Sequence, residues 1–187
     1  MSAGLRVVPT SITGLAVLER TPVGDHRGEL ERMFSTEALG DLLGDRRIEQ
    51  VNLSRTTRRG TVRGMHYQQI PYCETKFVSC LQGRVFDVAV DIRKDSPTFL
   101  RWHGELLTPE NHRTLIIPEG CAHGFQALTD DCEMLYLHTA PYRPETEGGL
   151  NPRDPLLAIE WPQAITELSV RDASRADLET VFAGIVF

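Results

Sequence analysis

The sequence has little positive charge and no long apolar run. Its 187 residues include 20 Lys and Arg against 26 Asp and Glu, which gives a formal net charge of −6. Because proteins bind nucleic-acid phosphates through clustered basic side chains, this balance predicts no nucleic-acid partner. No stretch approaches the roughly 20 apolar residues of a membrane-spanning helix, and the first residues lack a basic segment that leads into an apolar one. We therefore expect a cytoplasmic protein without a membrane partner.

Cysteine is also scarce, and its spacing matches no common metal or redox motif. The four cysteines are Cys73, Cys80, Cys121 and Cys132, and no two of them form a CxxC pair. A chain of this size can bury one sizeable core without disulfides, so we expect free thiols. We find no internal repeat, low-complexity segment or linker, which predicts that residues 1–187 form a single domain.

Short runs of β-branched and aromatic residues alternate with turn signals between residues 48 and 140. This pattern is typical of a β-sandwich or barrel. The clearest alternation is in residues 84–93, where apolar side chains take one face and Asp87 and Asp91 the other. The number of candidate strands is enough to close a double-stranded jelly roll, so we predict a mostly β fold.

Local signals predict how some of these elements connect. A Gln-Gly turn predicts that residues 75–81 and 84–93 form a hairpin. Capping and apolar spacing predict short peripheral helices at residues 35–43 and 174–182. The Pro- and Gly-rich stretch at residues 141–155 indicates a long surface loop that could serve as a lid.

Four side chains capable of chemistry fall on the candidate strands: His66, Lys76, His123 and Tyr136. A buried ammonium without a partner is costly, so Lys76 on an apolar strand face indicates a polar pocket. Taken singly, each of these residues is more often structural than functional, and only their convergence favours a site. A facial metal triad would need a ligand two residues after His66, where the sequence has Gln68. The pattern therefore disfavours a metal-dependent oxygenase and predicts no metal.

Nine sequence blocks, in order along nearly the whole chain, resemble one family. They are GDHRG (24–28), QVNLS (50–54), RGMHYQ (63–68), ETKFV (74–78), the segment 83–99, IPEGCAHGF (117–125), EMLY (133–136), IEWP (159–162) and LSVRD (168–172). In these blocks the chain closely resembles the dTDP-4-dehydrorhamnose 3,5-epimerase family of cupins. The resemblance implies a cupin double-stranded β-helix that works as a homodimer on a dTDP-4-keto-6-deoxyhexose.

The chemistry implied by the resemblance is epimerisation at carbon 3, with or without carbon 5, and without metal or cofactor. A hydrogen beside a ketone is weakly acidic, so inversion needs a base on one face and an acid on the other. The enolate oxygen formed between the two steps also needs stabilisation. On the family pattern His66 is the base and Asp172 orients it. Lys76 then stands beside the ketone oxygen, and Tyr136 is the acid.

The family pattern also implies six substrate-binding residues. The residues implied for the diphosphate are Arg27, Arg63 and Arg171. Those implied near both the diphosphate and the sugar are Gln50 and Asn52, and the one implied close to the sugar is His123. Positive charge concentrated in the site allows an acidic protein to bind a dianion.

The sequence departs from the family pattern in the residues expected to line the pocket. Leu30 stands where an aromatic residue is usual, and Arg32 stands near a usual acidic position, so recognition of the nucleotide base is left open. Pro141 replaces one of two adjacent aromatics, a tryptophan is absent near residues 151–152, and Cys121 replaces a common phenylalanine. These changes indicate a specialised relative.

Two other functions remain as alternatives. One is a 3,4-ketoisomerase of the same nucleotide sugar, which also transfers a proton beside a carbonyl. The other is a non-catalytic cupin that binds a sugar nucleotide. The combination of His66, Lys76, Tyr136 and Asp172 favours the epimerase over both.

Overall fold

The computed structural model describes residues 4–179 and 181–186. Its strands are β1 (Leu5–Pro9), β2 (Ala16–Arg20), β3 (Val23–Asp25), β4 (Gly28–Leu30), β5 (Gln50–Thr56), β6 (Val62–Gln68), β7 (Lys76–Gln82), β8 (Val85–Asp91), β9 (Trp102–Leu107), β10 (Arg113–Ile117), β11 (Cys121–Ala127), β12 (Cys132–His138) and β13 (Glu147–Gly149). The α-helices are α1 (Gly40–Leu43) and α2 (Val170–Ala173), and 3₁₀ turns occupy Pro109–Asn111 and Pro144–Thr146. In the described part of the chain no helix is long and apolar enough to cross a membrane. All four cysteines are free, as expected.

Two antiparallel sheets pack face to face. The six-stranded sheet has the order β1-β2-β10-β7-β12-β5, the five-stranded sheet has the order β13-β6-β11-β8-β9, and β3 and β4 form a separate hairpin. The main core lies between the two sheets, where Val78 and Leu115 of the first meet Ala89 and Phe125 of the second. The predicted mostly β jelly roll with short peripheral helices is confirmed.

The strands β7 and β8 are consecutive in the chain, but the prediction that they form a hairpin is wrong. β7 lies between β10 and β12, whereas β8 lies between β9 and β11 in the other sheet. Residues 76–80 of β7 are all buried, so this strand needs neighbours on both edges and both faces, which a two-stranded hairpin does not supply. Gly83 makes the crossing between the sheets at a φ of 79°, a value that favours glycine.

The alternation in β8 is as predicted, but both faces of the strand are largely buried. Val88 and Val90 pack in an outer cluster, and Asp87 and Asp91 on the other face are fully buried. Burial raises the pKa of Asp91, but hydrogen bonds from Arg93 and two hydroxyls outweigh it and lower the pKa to about 2. Asp91 therefore stabilises the turn after β8 through these hydrogen bonds. Asp87 instead contacts His123, a residue of the cavity described below.

One predicted helix is shorter than expected, and the other is not formed in the described residues. Within residues 35–43 the chain forms turns before it becomes helical in α1. Residues 174–179, 181 and 182 are not helical, and Thr180 lies outside the described residues. The nearby helix is instead α2, because the hydroxyl of Ser169 accepts a hydrogen bond from the backbone N–H of Asp172 and caps it. The apolar residues that suggested a helix, Leu178 and Phe182, lie in an irregular segment and pack against the outer cluster.

The segment 141–155 is more than the predicted surface loop. Within it, β13 pairs with β6 and adds an edge strand to the five-stranded sheet, with Gly149 opposite His66. Glu147 lines the cavity described below. Because part of the segment is held in a sheet beside His66, it contributes to the wall of the cavity. Its action as a lid stays a prediction.

Candidate active site

A cavity of about 930 Å³ opens between the two sheets. Eight of the ten predicted site residues line it: Asn52, Arg63, His66, Lys76, His123, Tyr136, Arg171 and Asp172. The other two, Arg27 and Gln50, are not part of its lining. The fold therefore brings together all four residues expected to act on the sugar and four of the six expected substrate contacts.

An irregularity in β6 places Arg63 and His66 on the same wall. Strict strand alternation would separate residues three positions apart, because each face takes every second residue. In the pairing with β11, His66 lies opposite His123 and Arg63 lies opposite Phe125, so three steps along β6 match two along β11. This β-bulge turns both side chains toward the cavity. Alternation alone could not have predicted it.

His66 is held by a buried carboxylate. Its Nε2 lies 2.7 Å from Oδ1 of Asp172, and Asp172 belongs to the first turn of α2. Burial raises the pKa of Asp172, but the hydrogen bond and charge of His66, together with the bond from Ser169, lower it overall. The carboxylate is therefore ionised and accepts the Nε2–H of His66. This arrangement leaves Nδ1 as the nitrogen with a free electron pair.

Lys76 and Tyr136 lie on the opposite wall, in the six-stranded sheet. The hydroxyl of Tyr136 is 3.3 Å from Oγ of Ser54. Burial raises the pKa of Tyr136, so the phenol keeps its proton at neutral pH. Lys76 is 7% exposed, and its Nζ donates to the backbone carbonyl oxygen of His66 at 3.4 Å. An ammonium and a protonated phenol thus face the imidazole across the cavity.

His123 is oriented by Asp87, a residue that the sequence analysis did not select. Nε2 of His123 lies 2.8 Å from Oδ1 of Asp87, which is fully buried on β8. The ring of His123 meets that of Tyr136 edge to face, with centroids 6.1 Å apart. The sequence did contain a signal for Asp87, because it is a carboxylate inside an otherwise apolar strand. Buried carboxylates are rare without a partner, so its position indicated a paired group.

Each histidine of the cavity is paired with its own carboxylate. The pairs are His66 with Asp172, His123 with Asp87, and His138 with Glu74. Among residues 4–179 and 181–186, no group of three or more His, Cys, Asp or Glu side chains is placed to hold a metal ion. Glu74 and His138 were not predicted as site residues, although the period of two along β12 puts His138 on the same face as Tyr136.

Three arginines line the cavity, Arg55, Arg63 and Arg171, and Arg55 pairs with Glu133. Arg63 donates from Nε to Oγ1 of Thr56 at 3.0 Å and from Nη2 to the carbonyl oxygen of Arg55 at 3.1 Å. Arg171 pairs with Glu147 and is half exposed. Anchored guanidinium groups of this kind are suited to bidentate contacts with phosphate oxygens.

Arg27 and Gln50 lie outside the cavity, and their roles stay predictions. Arg27 is in the turn between β3 and β4, is 80% exposed in its side chain, and pairs with Asp25. Gln50 donates to Oδ1 of Asn52 at 3.2 Å and accepts from the backbone N–H of Tyr142. Gln50 thus supports a residue of the cavity wall, whereas Arg27 has no contact with the cavity of its own chain.

Comparison with known proteins places the chain in a family. The sequence profile of the dTDP-4-dehydrorhamnose 3,5-epimerase family matches residues 9–180. The chain belongs to this family. The dTDP-4-dehydrorhamnose 3,5-epimerase of Salmonella typhimurium is 41% identical over 170 residues, which are 90% of this chain and 92% of that protein. A dTDP-4-dehydrorhamnose 3-epimerase of Streptomyces niveus is 38% identical over 169 residues, which are 90% and 81% of the two chains.

A solved structure in the dTDP-4-dehydrorhamnose 3,5-epimerase family has the same fold. It is the dTDP-6-deoxy-D-glucose-3,5-epimerase of Legionella pneumophila in complex with dTDP-4-keto-L-rhamnose, with a TM-score of 0.86 and 41% identity over 91% of both chains. The predicted family and the predicted epimerase class are confirmed. Because relatives are named both as 3,5-epimerases and as a 3-epimerase, the number of inverted carbons stays a prediction.

Proposed function

We propose that the protein inverts carbon 3 of a dTDP-4-keto-6-deoxyhexose, with or without carbon 5, through an enolate. The observation that carries the proposal is the placement of an imidazole and a protonated phenol on opposite walls of one cavity, with an ammonium in the same cavity. Inversion requires that a proton leave one face of the carbon and another arrive on the opposite face. Two walls with different proton-transfer groups meet that requirement.

His66 is the base in this proposal. Because Asp172 accepts the Nε2–H, Nδ1 takes the proton from the carbon beside the ketone. The electron pair of the broken C–H bond forms the double bond of the enolate, and the negative charge moves to the ketone oxygen. The ionised Asp172 then stabilises the imidazolium, as carboxylates do in other histidine–aspartate pairs.

Lys76 and Tyr136 complete the cycle. The ammonium of Lys76 stabilises the enolate oxygen, and Tyr136 gives its hydroxyl proton to the opposite face of the carbon. One inversion leaves His66 protonated and Tyr136 deprotonated, and proton exchange with water restores both. The sugar is neither oxidised nor reduced, so the reaction as proposed uses no cofactor.

The substrate contacts follow from the charged and polar groups around this centre. Arg63 and Arg171 bind the diphosphate, Asn52 and His123 contact the diphosphate and the sugar, and Gln50 holds Asn52. Two guanidinium groups concentrate positive charge for a dianion in a chain whose net charge is −6. The proposal keeps residues 1–187 as one cytoplasmic domain, as expected from the sequence.

The proposed homodimer would explain the position of Arg27. The residue is exposed and outside the cavity of its own chain, so a contact with the diphosphate would require it to reach the cavity of a second copy. A symmetric dimer would then have two composite sites.

Mixing two weakly active variants tests this arrangement. We expect Arg27→Ala and His66→Ala to be weakly active alone, and their mixture, after subunit exchange, to recover about one quarter of wild-type activity, because half of random dimers hold one intact composite site. Activity is measured by the appearance of epimerised product. A mixture no more active than its components would place Arg27 in its own subunit's site or in none.

Deuterium incorporation tests the proposed activity itself. We expect incubation with dTDP-4-keto-6-deoxyglucose in deuterated water to place deuterium at carbon 3, or at carbons 3 and 5, as located by NMR. Label at carbon 3 alone identifies a 3-epimerase, and label at both carbons identifies the double epimerase. A ketone moved to carbon 3 would indicate the 3,4-ketoisomerase, and bound but unlabelled substrate would indicate a binding protein.

A further inference from the structure

Glu74, Lys76 and His138 form a cluster of charged and polar groups in the wall of the cavity. Oε1 of Glu74 lies 3.3 Å from Nζ of Lys76, and Oε2 of Glu74 lies 2.8 Å from Nδ1 of His138. The side chains of the three residues are only 9%, 8% and 12% exposed, in the order Lys76, Glu74, His138. The cluster joins β7 to β12, because Lys76 and His138 are register partners.

A carboxylate beside the enolate-stabilising ammonium needs a physical reason. Glu74 weakens the attraction of Lys76 for a developing anion, since its opposite charge is close. The same carboxylate favours the charged form of a lysine that is almost fully buried. It also restrains a long, flexible side chain, which otherwise has many rotamers. The benefit of keeping the Lys76 ammonium charged and in one position can outweigh its weaker attraction for the enolate oxygen.

His138 fixes the carboxylate in turn. Its Nδ1–H donates to Glu74, and its Nε2 accepts a weak contact from Nδ2 of Asn52 at 3.5 Å. The ring of His138 also stacks on that of Tyr136, with centroids 6.0 Å apart. Burial raises the pKa of Glu74, but the charge of Lys76 and the bond from His138 outweigh this and lower it. Glu74 is therefore an ionised group with both oxygens occupied.

We propose that Glu74 is a positioning residue of the reaction, which holds the Lys76 ammonium charged and in place, and that His138 holds Glu74. This inference rests on the role given to Lys76 under the proposed function. It gives a role to Glu74 and His138, two largely buried side chains that the proposed proton-transfer steps do not use. It also predicts that the pair controls the alkaline limit of activity.

Other titratable groups near Glu74 and Lys76 could also affect the alkaline limit of activity. The groups that face the Glu74–Lys76 pair are His138 and Tyr136 from β12, His66 from β6, Cys121 from β11, and Cys73 from the loop before β7. Burial raises the pKa of Cys121 to about 12 and also raises the pKa of Cys73. The thiols are therefore uncharged near neutral pH, and Glu74 is the carboxylate in contact with Lys76.

Glu74→Gln tests the proposal because it keeps the shape and removes the charge. Without the carboxylate, a buried ammonium loses its proton more readily, so the alkaline loss of kcat should begin at lower pH. We expect the ratio of wild-type to variant kcat to be at least about twofold larger at pH 9 than at pH 6.5, because the alkaline loss begins earlier in the variant. KM for the nucleotide sugar should change much less than kcat. Glu74→Asp, which keeps the charge but is shorter, should lower kcat while the pH profile keeps its wild-type shape.

Glu105→Gln is a matched control. Glu105 on β9 also lies between a histidine and a cation, His103 and Arg113, but outside the cavity. We expect its pH profile to match that of the wild type. A Glu74→Gln profile parallel to the wild type, or lowered equally at every pH, would overturn the positioning role. Should Glu74→Gln fail to fold, as judged by circular dichroism, His138→Leu is measured instead, with the same downward shift of the alkaline limit expected and a parallel profile again overturning the proposal.

Lys76→Met separates this inference from the function on which it rests. If Lys76→Met retains wild-type kcat, the role of Lys76 in the proposed function fails. If Lys76→Met is inactive while Glu74→Gln has a parallel profile, only the inference about Glu74 fails.

Discussion

Replacing His66 with alanine is expected to lower kcat by about 10²- to 10⁴-fold, the range found for a positioned general base. The variant removes the imidazole that we propose as the base and leaves Asp172 without its histidine partner. Binding should suffer less, since Arg63 and Arg171, the proposed diphosphate contacts, are untouched. The rate is measured by NMR detection of the epimerised sugar, and the affinity for dTDP by calorimetry.

The control for this variant is His103→Ala. His103 lies on β9 and contacts Glu105 at 3.4 Å, outside the cavity. We expect it to keep wild-type kcat. If His66→Ala retained wild-type kcat with normal substrate affinity, another group would have to be the base, and the proposed mechanism would be wrong.

Replacing Tyr136 with phenylalanine is expected to separate proton exchange from inversion. The variant keeps the aromatic ring packed against His123 and loses only the hydroxyl, which we propose as the acid on the second face. Inversion should slow by about 10²-fold or more. Proton removal and return by His66 on the first face should persist, so recovered substrate gains deuterium at carbon 3 without a change of configuration.

This experiment follows both processes in one sample of deuterated water. NMR gives the deuterium content of the remaining substrate and the amount of epimerised product. Tyr72→Phe, at a tyrosine whose ring contacts Arg143 outside the cavity, serves as the control. Equal loss of exchange and inversion in Tyr136→Phe would show that the phenol is needed before the proton is removed. The proposal that Tyr136 acts only as the acid on the second face would then be wrong.

The fold was predictable because strand alternation and turn signals are local. They identified a jelly roll and placed Lys76 on an apolar strand face. The next residues on that face, Val78 and Cys80, belong to the main core. They did not identify the partner of each strand. The crossing at Gly83 between two sheets has the same local signal as a hairpin turn, and only the burial of β7 on both sides distinguishes the two.

The candidate site was predictable where a motif carried it and not where packing created it. The family blocks identified His66, Lys76, Tyr136 and Asp172, which all line one cavity. The carboxylates that orient His123 and hold Lys76 were missed. Their function depends on contacts between residues far apart in the chain, as with Glu74 and His138, 64 positions apart.

The two walls of the cavity belong to separate sheets, joined mainly through the apolar layer that contains Val78, Ala89 and Phe125. The width of the cavity between the two walls therefore depends on the bulk of that layer. A change of one methyl group there would alter the spacing between the imidazole and the phenol without touching either. Turnover and stereochemical outcome are consequently open to tuning from the hydrophobic interior, by substitutions that leave every polar group in the cavity as it is.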